Sequence, residues 1–256
     1  MKARNNLERW APLVVLVITL LLWQLIVGLF NIAEYIFPSP LEIGKQFFEF
    51  HEALLKAAWQ TFWVTMVGFG LSIVVGVLLG FLVGSSRLAY AAFYPLMTAF
   101  NAVPKAAITP ILVVWFGIGV GPGVLTAFLI SFFPITVNIA TGLATMEPEL
   151  EDVLRVLGAK RWDVLVKVGM PRSLPFFYGS LKIAITLAFV GTVLAEMTAG
   201  DSGIGNLMQT AGSQQRMPLA FAGLVTIGAM AMAMYELFSY VEKHTTAWAH
   251  RGSQNE

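Results

Sequence analysis

Residues 147–175 read EPELEDVLRVLGAKRWDVLVKVGMPRSLP. This charged segment lies between two long apolar runs of a 256-residue chain that is 57% hydrophobic and only 12% charged. A soluble domain carries roughly twice that charged share, so the sequence predicts an all-α integral membrane protein. A polar segment of this size between membrane spans indicates a docking surface for another protein.

Composition excludes several classes of function. The formal net charge is +1, which gives no reason to expect a nucleic-acid partner. The chain has no cysteine, so disulfides, thiolate metal sites and cysteine nucleophiles are excluded. The apolar run after MKARNNLERW is too long for a signal peptide and no cleavage site follows it, so we interpret it as a retained first span.

Uncharged runs predict six transmembrane helices, because a spanning helix needs about 20 mostly apolar residues. The predicted spans cover residues 11–30, 57–86, 89–116, 124–145, 177–199 and 218–240. Phe37-Pro38-Ser39-Pro40 predicts a turn after the first span, followed by an amphipathic surface helix over 41–58. Residues 201–205 predict the start of a polar loop. The predicted domains are 1–56, with the first span and an extracytoplasmic amphipathic segment, 57–241 for the main body, and 242–256 for a cytoplasmic tail.

The distribution of cations predicts the orientation of the spans, because cytoplasmic segments carry an excess of Lys and Arg. With a cytoplasmic N-terminus, the cytoplasmic segments hold eleven cations and the opposite side three. The eleven are Lys2, Arg4, Arg9, Arg87, Arg155, Lys160, Arg161, Lys167, Arg172, Lys243 and Arg251, and the three are Lys45, Lys56 and Arg216. Both termini and the 147–175 segment are therefore predicted to face the cytoplasm.

The segment 147–175 has the pattern of two short helices joined at a glycine. Pro148 and the acids that surround it suit the first turn of a helix, where the helix dipole favours negative charge. Residues 150, 153, 154 and 157 are apolar and share one helix face. Gly158 is expected to end or bend this helix. A second helical pattern runs over 160–168, and Pro171 and Pro175 are expected to end it.

This spacing resembles the cytoplasmic EAA loop of binding-protein-dependent ABC importer permeases, whose pattern is E-A-A-x3-G-x9-I-x-L-P. Residues 152–154 occupy its first three positions with Asp, Val and Leu, Gly158 occupies the glycine position, and residues 168–171 end in Met170-Pro171. Five further fragments resemble the nitrate, sulfonate, taurine and bicarbonate branch of that family. These are Phe37-Pro38-Ser39-Pro40, Trp115-Phe116-Gly117-Ile118-Gly119, Phe132-Phe133-Pro134, Ala195-Glu196-Met197 and Ser202-Gly203-Ile204-Gly205.

The resemblance implies a type I ABC importer fold and a permease subunit in the cell inner membrane. It implies a second copy of the permease, a cytoplasmic ABC ATPase dimer that binds ATP and Mg, and an extracytoplasmic solute-binding protein. The residues that would contact the ATPase are Glu151, Asp152, Gly158, Ala159 and Arg161. No Walker A sequence occurs in the chain, so it is not expected to be an enzyme by itself or to hold a cofactor. The implied solute is small and either anionic or aromatic and heterocyclic.

Polar residues inside predicted spans are candidates for the translocation pathway, because they are costly in lipid. The candidates are Lys105, Asn101, Asn138, Thr192 and Glu196. For Lys105, pairing with a carboxylate such as that of Glu196 remains an alternative, as does hydrogen bonding between helices for the neutral residues. Gly76, Gly80 and Gly84 share a helix face, which predicts close packing within the chain or a homodimer contact. The alternative function is a self-sufficient ion-coupled carrier or channel.

Overall fold

A computed structural model of the chain describes residues 2–145, 153–154 and 156–246; for residues 2–9 and Arg161 it describes the backbone alone. Glu151 and Asp152, two of the predicted ATPase contacts, therefore lie outside the described residues. Within the described ranges the chain is helical and contains no β-strand. The predicted all-α class is confirmed.

Ten α-helices follow one another along the described part of the chain. They are α1 Lys2–Leu29, α2 Pro40–Glu49, α3 His51–Gly84, α4 Arg87–Ala102, α5 Thr109–Phe116, α6 Val120–Ala144, α7 Arg161–Val164, α8 Met170–Ala199, α9 Gly203–Ser213 and α10 Met217–Thr245. A 3-10 helix, Lys105–Ile108, connects α4 to α5, and a π-helix, Leu165–Gly169, connects α7 to α8. Five helical segments of this part are long and apolar enough to cross a membrane, and α4 with α5 makes up to six.

The core of the bundle consists of α3, α6 and α8, and it depends on the stripe formed by Gly76, Gly80 and Gly84. A Cβ added to Gly76 would lie 2.9 Å from the Cβ of Ile135, and one added to Gly80 would lie 2.8 Å from the Cβ of Ile139. These contacts advance together along both helices, so α3 and α6 run parallel with their backbones close together. Small residues permit this approach where lipid removes the hydrophobic drive for association. The prediction that the stripe packs within the chain is confirmed. The alternative prediction, that it forms a homodimer contact, is wrong.

Helix α10 packs on α8 and α3 at the outside of this core. The rings of Phe69 in α3 and Phe238 in α10 lie 5.5 Å apart. Lys182 in α8 forms an ion pair with Glu242 in α10, with 2.6 Å between Nζ and Oε2, and the side chains are only 19% and 15% exposed. This ion pair joins α8 to α10.

The N-terminal part of the chain attaches loosely to this bundle. In α1 the most apolar stretch is only 6% buried, and Trp23 contacts Phe37 and Phe221 at ring distances of 5.2 and 6.2 Å. The predicted helix over 41–58 is broken at Phe50, whose ψ of 24° is not helical. The second piece belongs to α3, which begins at His51 and crosses the expected boundary between residues 56 and 57 without interruption.

Three further expectations differ from the structure. The expected loop from residue 201 is instead the helix α9, whose N-terminus is held by a side chain of α8. Pro171 and Pro175 lie inside a continuous helix rather than ending one, because a wider π turn precedes Pro171 and Pro171 occupies the first turn of α8. The third predicted span is not straight: α4 and the following helical segment meet at 69°.

Candidate functional site

The first candidate site is the elbow, which we define as residues 153–162. Leu157 N–H donates to the carbonyl of Val153 at 3.1 Å, and Ala159 N–H donates to the carbonyl of Leu154 at 3.0 Å. The second bond spans five residues across Gly158, as in a Schellman helix ending. Gly158 has a φ of +88°, a conformation in which an L-residue is strained. The predicted glycine turn is confirmed, and α7 begins two residues after Ala159 at Arg161.

The elbow projects apolar side chains that nothing in the described chain covers. Val156 is 88% exposed and Leu157 is 78% exposed. A Cβ placed on Gly158 would meet no atom within 4 Å. Trp162 fixes the far side of the elbow, because its ring makes an edge contact of 5.7 Å with Phe81 near the end of α3. Val156 and Leu157 are thus neighbouring exposed apolar side chains beside the glycine turn.

The elbow is joined to the core without a flexible linker. From Arg161 the chain is helical through the π-helix into α8, and it stays helical to Ala199. Asp163 and Lys167 form an ion pair along this segment, with 3.2 Å between Oδ1 and Nζ. Gly169 is buried against Leu143 at the end of α6. The elbow is therefore continuous with α8 through helical backbone.

The second candidate site lies at the other end of α8, around Glu196. The hydroxyl group of Thr61 donates to the Glu196 carboxylate, with 2.9 Å to each oxygen. Gly205 N–H donates to Oε2 of Glu196 at 2.9 Å, and Ile204 N–H donates to the Thr61 oxygen at 2.8 Å. Glu196 is only 7% exposed. The carboxylate thus caps the N-terminus of α9 and connects α3, α8 and α9.

The third candidate site is the helix break, residues 103–108, between α4 and α5. Lys105 Nζ donates to the side-chain oxygen of Asn101 at 2.6 Å and to its backbone carbonyl at 3.1 Å. The ammonium group also lies 6.0 Å from the ring centre of Phe100 and 5.6 Å from that of Phe133. Among the described residues no carboxylate pairs with Lys105, so the alternative that it pairs with Glu196 is wrong. Glu196 is bound to Thr61 instead.

The family profile described as "Binding-protein-dependent transport system inner membrane component" matches residues 72–245. The chain belongs to this family. It is 33% identical over 232 residues to a probable ABC transporter permease protein of Haemophilus influenzae, covering 88% of this chain and 91% of that one. It is 31% identical over 239 residues to the riboflavin transport system permease protein RibX of Chloroflexus aurantiacus, covering 92% and 88%.

A solved structure shares the fold of this permease. The MetNI methionine ABC transporter in an inward facing conformation aligns with a TM-score of 0.65 and 18% identity, over 77% of this chain and 98% of the other. The predicted type I importer fold and the prediction of an ABC importer permease are both confirmed. The alternative of a self-sufficient carrier or channel is set aside, because the family consists of transport-system components.

The remaining pathway candidates of the permease lie apart from one another. Asn138 is half-buried in α6 and donates to the carbonyl of Pro134 at 2.8 Å, within its own helix. Thr192 is fully buried, and its hydroxyl oxygen lies 2.8 Å from that of Thr65 in α3. The structure brings Asn101 together with Lys105, and Thr192 close to Glu196 along α8. The role of all five in a passage stays a prediction.

Sequence reasoning missed the partners of Glu196. Thr61 and Thr65 are both fully buried and face α8, and Ser72 on the same helix lies 2.6 Å from Ser131 of α6. The spacings of four and seven residues place the three hydroxyl groups on one face of α3. That periodic row of small polar residues in an apolar span was the available signal.

Proposed function

We propose that the permease couples ATP hydrolysis to transport by docking its elbow on a separate cytoplasmic ABC ATPase. The observation that carries this proposal is the exposure of Val156 and Leu157 beside Gly158, where no part of the described chain covers them. An ATPase surface groove would bury both side chains. Ala159 and Arg161 follow directly along the elbow, and Glu151 and Asp152 precede it in sequence, so these four residues are proposed contacts as well.

The continuous path from α7 to Ala199 supports a mechanism for the coupling. A helix that stays unbroken transmits a push along its axis better than a loop does, and here its last turn carries Glu196, which holds α9. When the ATPase pair closes, movement of the elbow would shift α8 and, through Glu196, the helix at the opposite end. The passage would thereby open alternately to one side of the membrane and to the other.

We further propose that the elbow end of the bundle faces the cytoplasm, together with both termini. The positive-inside rule supports this orientation, since eleven of the cations belong to the segments on that side and three to the other. The opposite end presents α2 and α9, which border an open cavity lined by Glu34, Gln46, Glu49, Gln214 and Arg216. This polar surface is the proposed contact of a solute-binding protein.

The passage itself is proposed to lie between two copies of the permease. None of the residues of α4 is buried within the single chain, although α4 belongs to a predicted membrane span. A second copy would cover part of that face. Lys105, Asn101 and Asn138 are the proposed pathway residues, with Thr192 and Glu196 supporting α8 at its outer end. ATP and Mg would bind to the ATPase and not to this chain.

The test is co-purification of the ATPase with variants of the elbow. The double substitution Val156→Ser with Leu157→Ser removes the exposed apolar surface and should reduce ATPase recovery and solute-stimulated ATP hydrolysis by about tenfold, an expected loss of about 1.4 kcal/mol. The matched control is Ile118→Ser, which removes an equally exposed apolar side chain between α5 and α6 at the opposite end. Full ATPase binding by the elbow variant would overturn the proposal, as would transport by the permease alone.

A further inference from the structure

The helix break between α4 and α5 leaves irregular backbone within a predicted membrane span. Val103 is extended, with φ −67° and ψ 126°, and Pro104 has ψ 92°. Helical hydrogen bonding is interrupted there, because Pro104 has no N–H and Val103 N–H reaches only to the carbonyl of Phe100 at 3.3 Å. Backbone of this kind does not face lipid; it occurs at membrane depth only where protein or water satisfies it.

The side chains of Asn101 and Lys105, beside the helix break, support the same conclusion. Asn101 is exposed and Lys105 is half-exposed, and both belong to a segment that forms a membrane span only as the bent pair. A lysine in lipid near the bilayer centre is strongly disfavoured, and such residues face the bundle interior or a water-filled cavity. Since these groups are open on the surface of the single chain, this surface must border the passage and not the lipid.

The cation at the break retains donors for a ligand. An ammonium group has three donors, and the described residues offer Lys105 two acceptors, both from Asn101. Both acceptors are neutral, so the positive charge of Lys105 is oriented but not compensated. The Asn101 side chain accepts through its oxygen, which leaves its NH₂ group as a second donor beside the ammonium.

An aromatic wall adjoins these donors. Phe100 lies 6.2 Å from Phe132 between ring centres, and Phe132 stacks on Phe128 at 5.3 Å. The ring centre of Phe133 also lies 5.6 Å from the Lys105 ammonium group. The site therefore combines one uncompensated cation and an amide donor with a broad apolar surface, and none of the described acidic residues forms an ion pair with that cation.

We propose that Lys105 and Asn101 bind the charged end of the transported solute, and that this solute is an organic oxyanion, a carboxylate or sulfonate carried on an apolar or aromatic body. The anion accepts hydrogen bonds from the Lys105 ammonium and the Asn101 NH₂ group, while its body lies against Phe100 and Phe132. Lys105 is then the residue that determines the sign of charge in the passage. This inference rests on the proposed passage between permease copies.

The absence of cysteine from the chain allows a direct test. Asn101→Cys places the only thiol at the site, in the full-length chain reconstituted with its ATPase. The probes are two water-soluble thiol reagents of similar size, a methanethiosulfonate bearing a sulfonate and one bearing a trimethylammonium group. The measured quantity is the ratio of their modification rates, divided by the same ratio for Ile118→Cys, whose position is 73% exposed at the end of the bundle.

We expect the normalised ratio for N101C to exceed one, which means that N101C favours the sulfonate reagent over the trimethylammonium reagent more strongly than I118C does. Adding Lys105→Met should lower the normalised ratio by about tenfold, the order expected for one unit charge at a few ångströms with protein-like screening. Adding Lys105→Arg, which keeps the charge, should leave the ratio within about twofold. Leu21→Cys on the exposed face of α1 is the lipid-facing control and should react with neither reagent.

Two results would overturn the inference. If N101C resists both reagents as L21C does, the helix break does not border an aqueous passage. If N101C reacts but K105M leaves its ratio unchanged, Lys105 does not select anions. ATPase recovery from the I118C membranes is measured in parallel, so a failure of ATPase docking is seen separately from a failure of anion selection.

Discussion

The hydroxyl oxygen of Thr61 lies 2.9 Å from both carboxylate oxygens of Glu196, a residue 135 positions further along the chain. The same hydroxyl accepts from Ile204 N–H, and the carboxylate accepts from Gly205 N–H. Gly203 must be a glycine here, because its φ is +91° and a Cβ would overlap the Glu196 carboxylate. One buried cluster therefore positions α9, which no local sequence signal predicts to be a helix.

This cluster predicts the effect of removing the Thr61 hydroxyl. Thr61→Val keeps the shape but leaves Ile204 N–H without its acceptor and removes one of the two donors to Glu196, so that only Gly205 N–H remains. We expect the free energy of unfolding in mixed micelles to fall by about 1–3 kcal/mol, the cost of a buried unsatisfied polar group. Thr61→Ser keeps the hydroxyl and should lose less than half of that. Equal stability of T61V and the wild type would show that the cluster does not hold α9.

The glycine stripe of α3 predicts a difference between two otherwise similar substitutions. Gly80→Ala forces a methyl group to within 2.8 Å of Ile139 Cβ, whereas a Cβ on Gly70 of the same helix meets nothing within 4 Å. We expect G80A to destabilise the permease by about 1–3 kcal/mol through overpacking, and G70A to be neutral or stabilising by about 0.5–1 kcal/mol. Thermal unfolding in detergent measures both. A G80A variant as stable as G70A would contradict the close packing of α3 on α6.

The elbow predicts that Gly158 is needed for two reasons, its backbone conformation and the space around it. Gly158→Ala strains the backbone by about 1–2 kcal/mol, since its φ is +88°. Gly158→Asn relieves most of that strain, because asparagine tolerates positive φ, but it still adds a side chain to the docking surface. We expect both variants to insert normally and to lose ATPase binding and uptake.

Gly117→Ala is the control for strain alone. Its φ is +80° and its surroundings are equally open, but it lies between α5 and α6 at the end opposite the elbow. This variant should retain ATPase binding. Recovery of ATPase binding in G158N would limit the role of the glycine to conformation and contradict a close approach of the partner.

The ion pair between Lys182 of α8 and Glu242 of α10 predicts that substitutions at these two residues have non-additive effects on the free energy of unfolding. Lys182→Met leaves the Glu242 carboxylate, only 15% exposed, without its cation. Breaking such a pair costs about 3–5 kcal/mol when it is fully buried, and we expect about 2–4 kcal/mol here because the pair retains some solvent. K182M combined with Glu242→Gln should recover at least half of the loss, which a double-mutant cycle measures. Additive losses would show that the two side chains do not interact.

Much of the fold was predictable because its signals are local. Uncharged runs of sufficient length located the spans, and for span four, predicted over 124–145, both ends of the helix Val120–Ala144 differ from the prediction by only a few residues. Gly158 was predicted to end a helix and does so with a positive φ. The π turn before Pro171 and the helix α9 were not predictable, because the first depends on packing of Gly169 against Leu143 and the second on a cap supplied from α8.

The candidate site residues likewise include some that the sequence could select and some that only the structure could identify. Lys105 and Asn101 could be selected from sequence because polar residues stand out in an apolar run, but only the structure shows that their side chains meet across the helix break. For the partner of Glu196 the row of hydroxyl groups along α3 was a signal, but it did not single out one residue, since other spans carry hydroxyl groups as well. The structure shows that the partner is Thr61. Helices α3 and α8 run antiparallel to each other, which brings Thr61 near the start of α3 to the same depth as Glu196 near the end of α8.

The amino-acid sequence by itself determined that this protein is a helical membrane protein with a charged glycine elbow, because composition and residue spacing decide which segments enter lipid and where a helix turns. Only the tertiary structure decided that Gly80 faces Ile139, that Glu196 holds α9, and that Lys105 has no acidic partner among the described residues. Those relationships depend on which helix faces meet, and in a bilayer that choice is made by close packing and hydrogen bonding between distant segments, not by hydrophobicity.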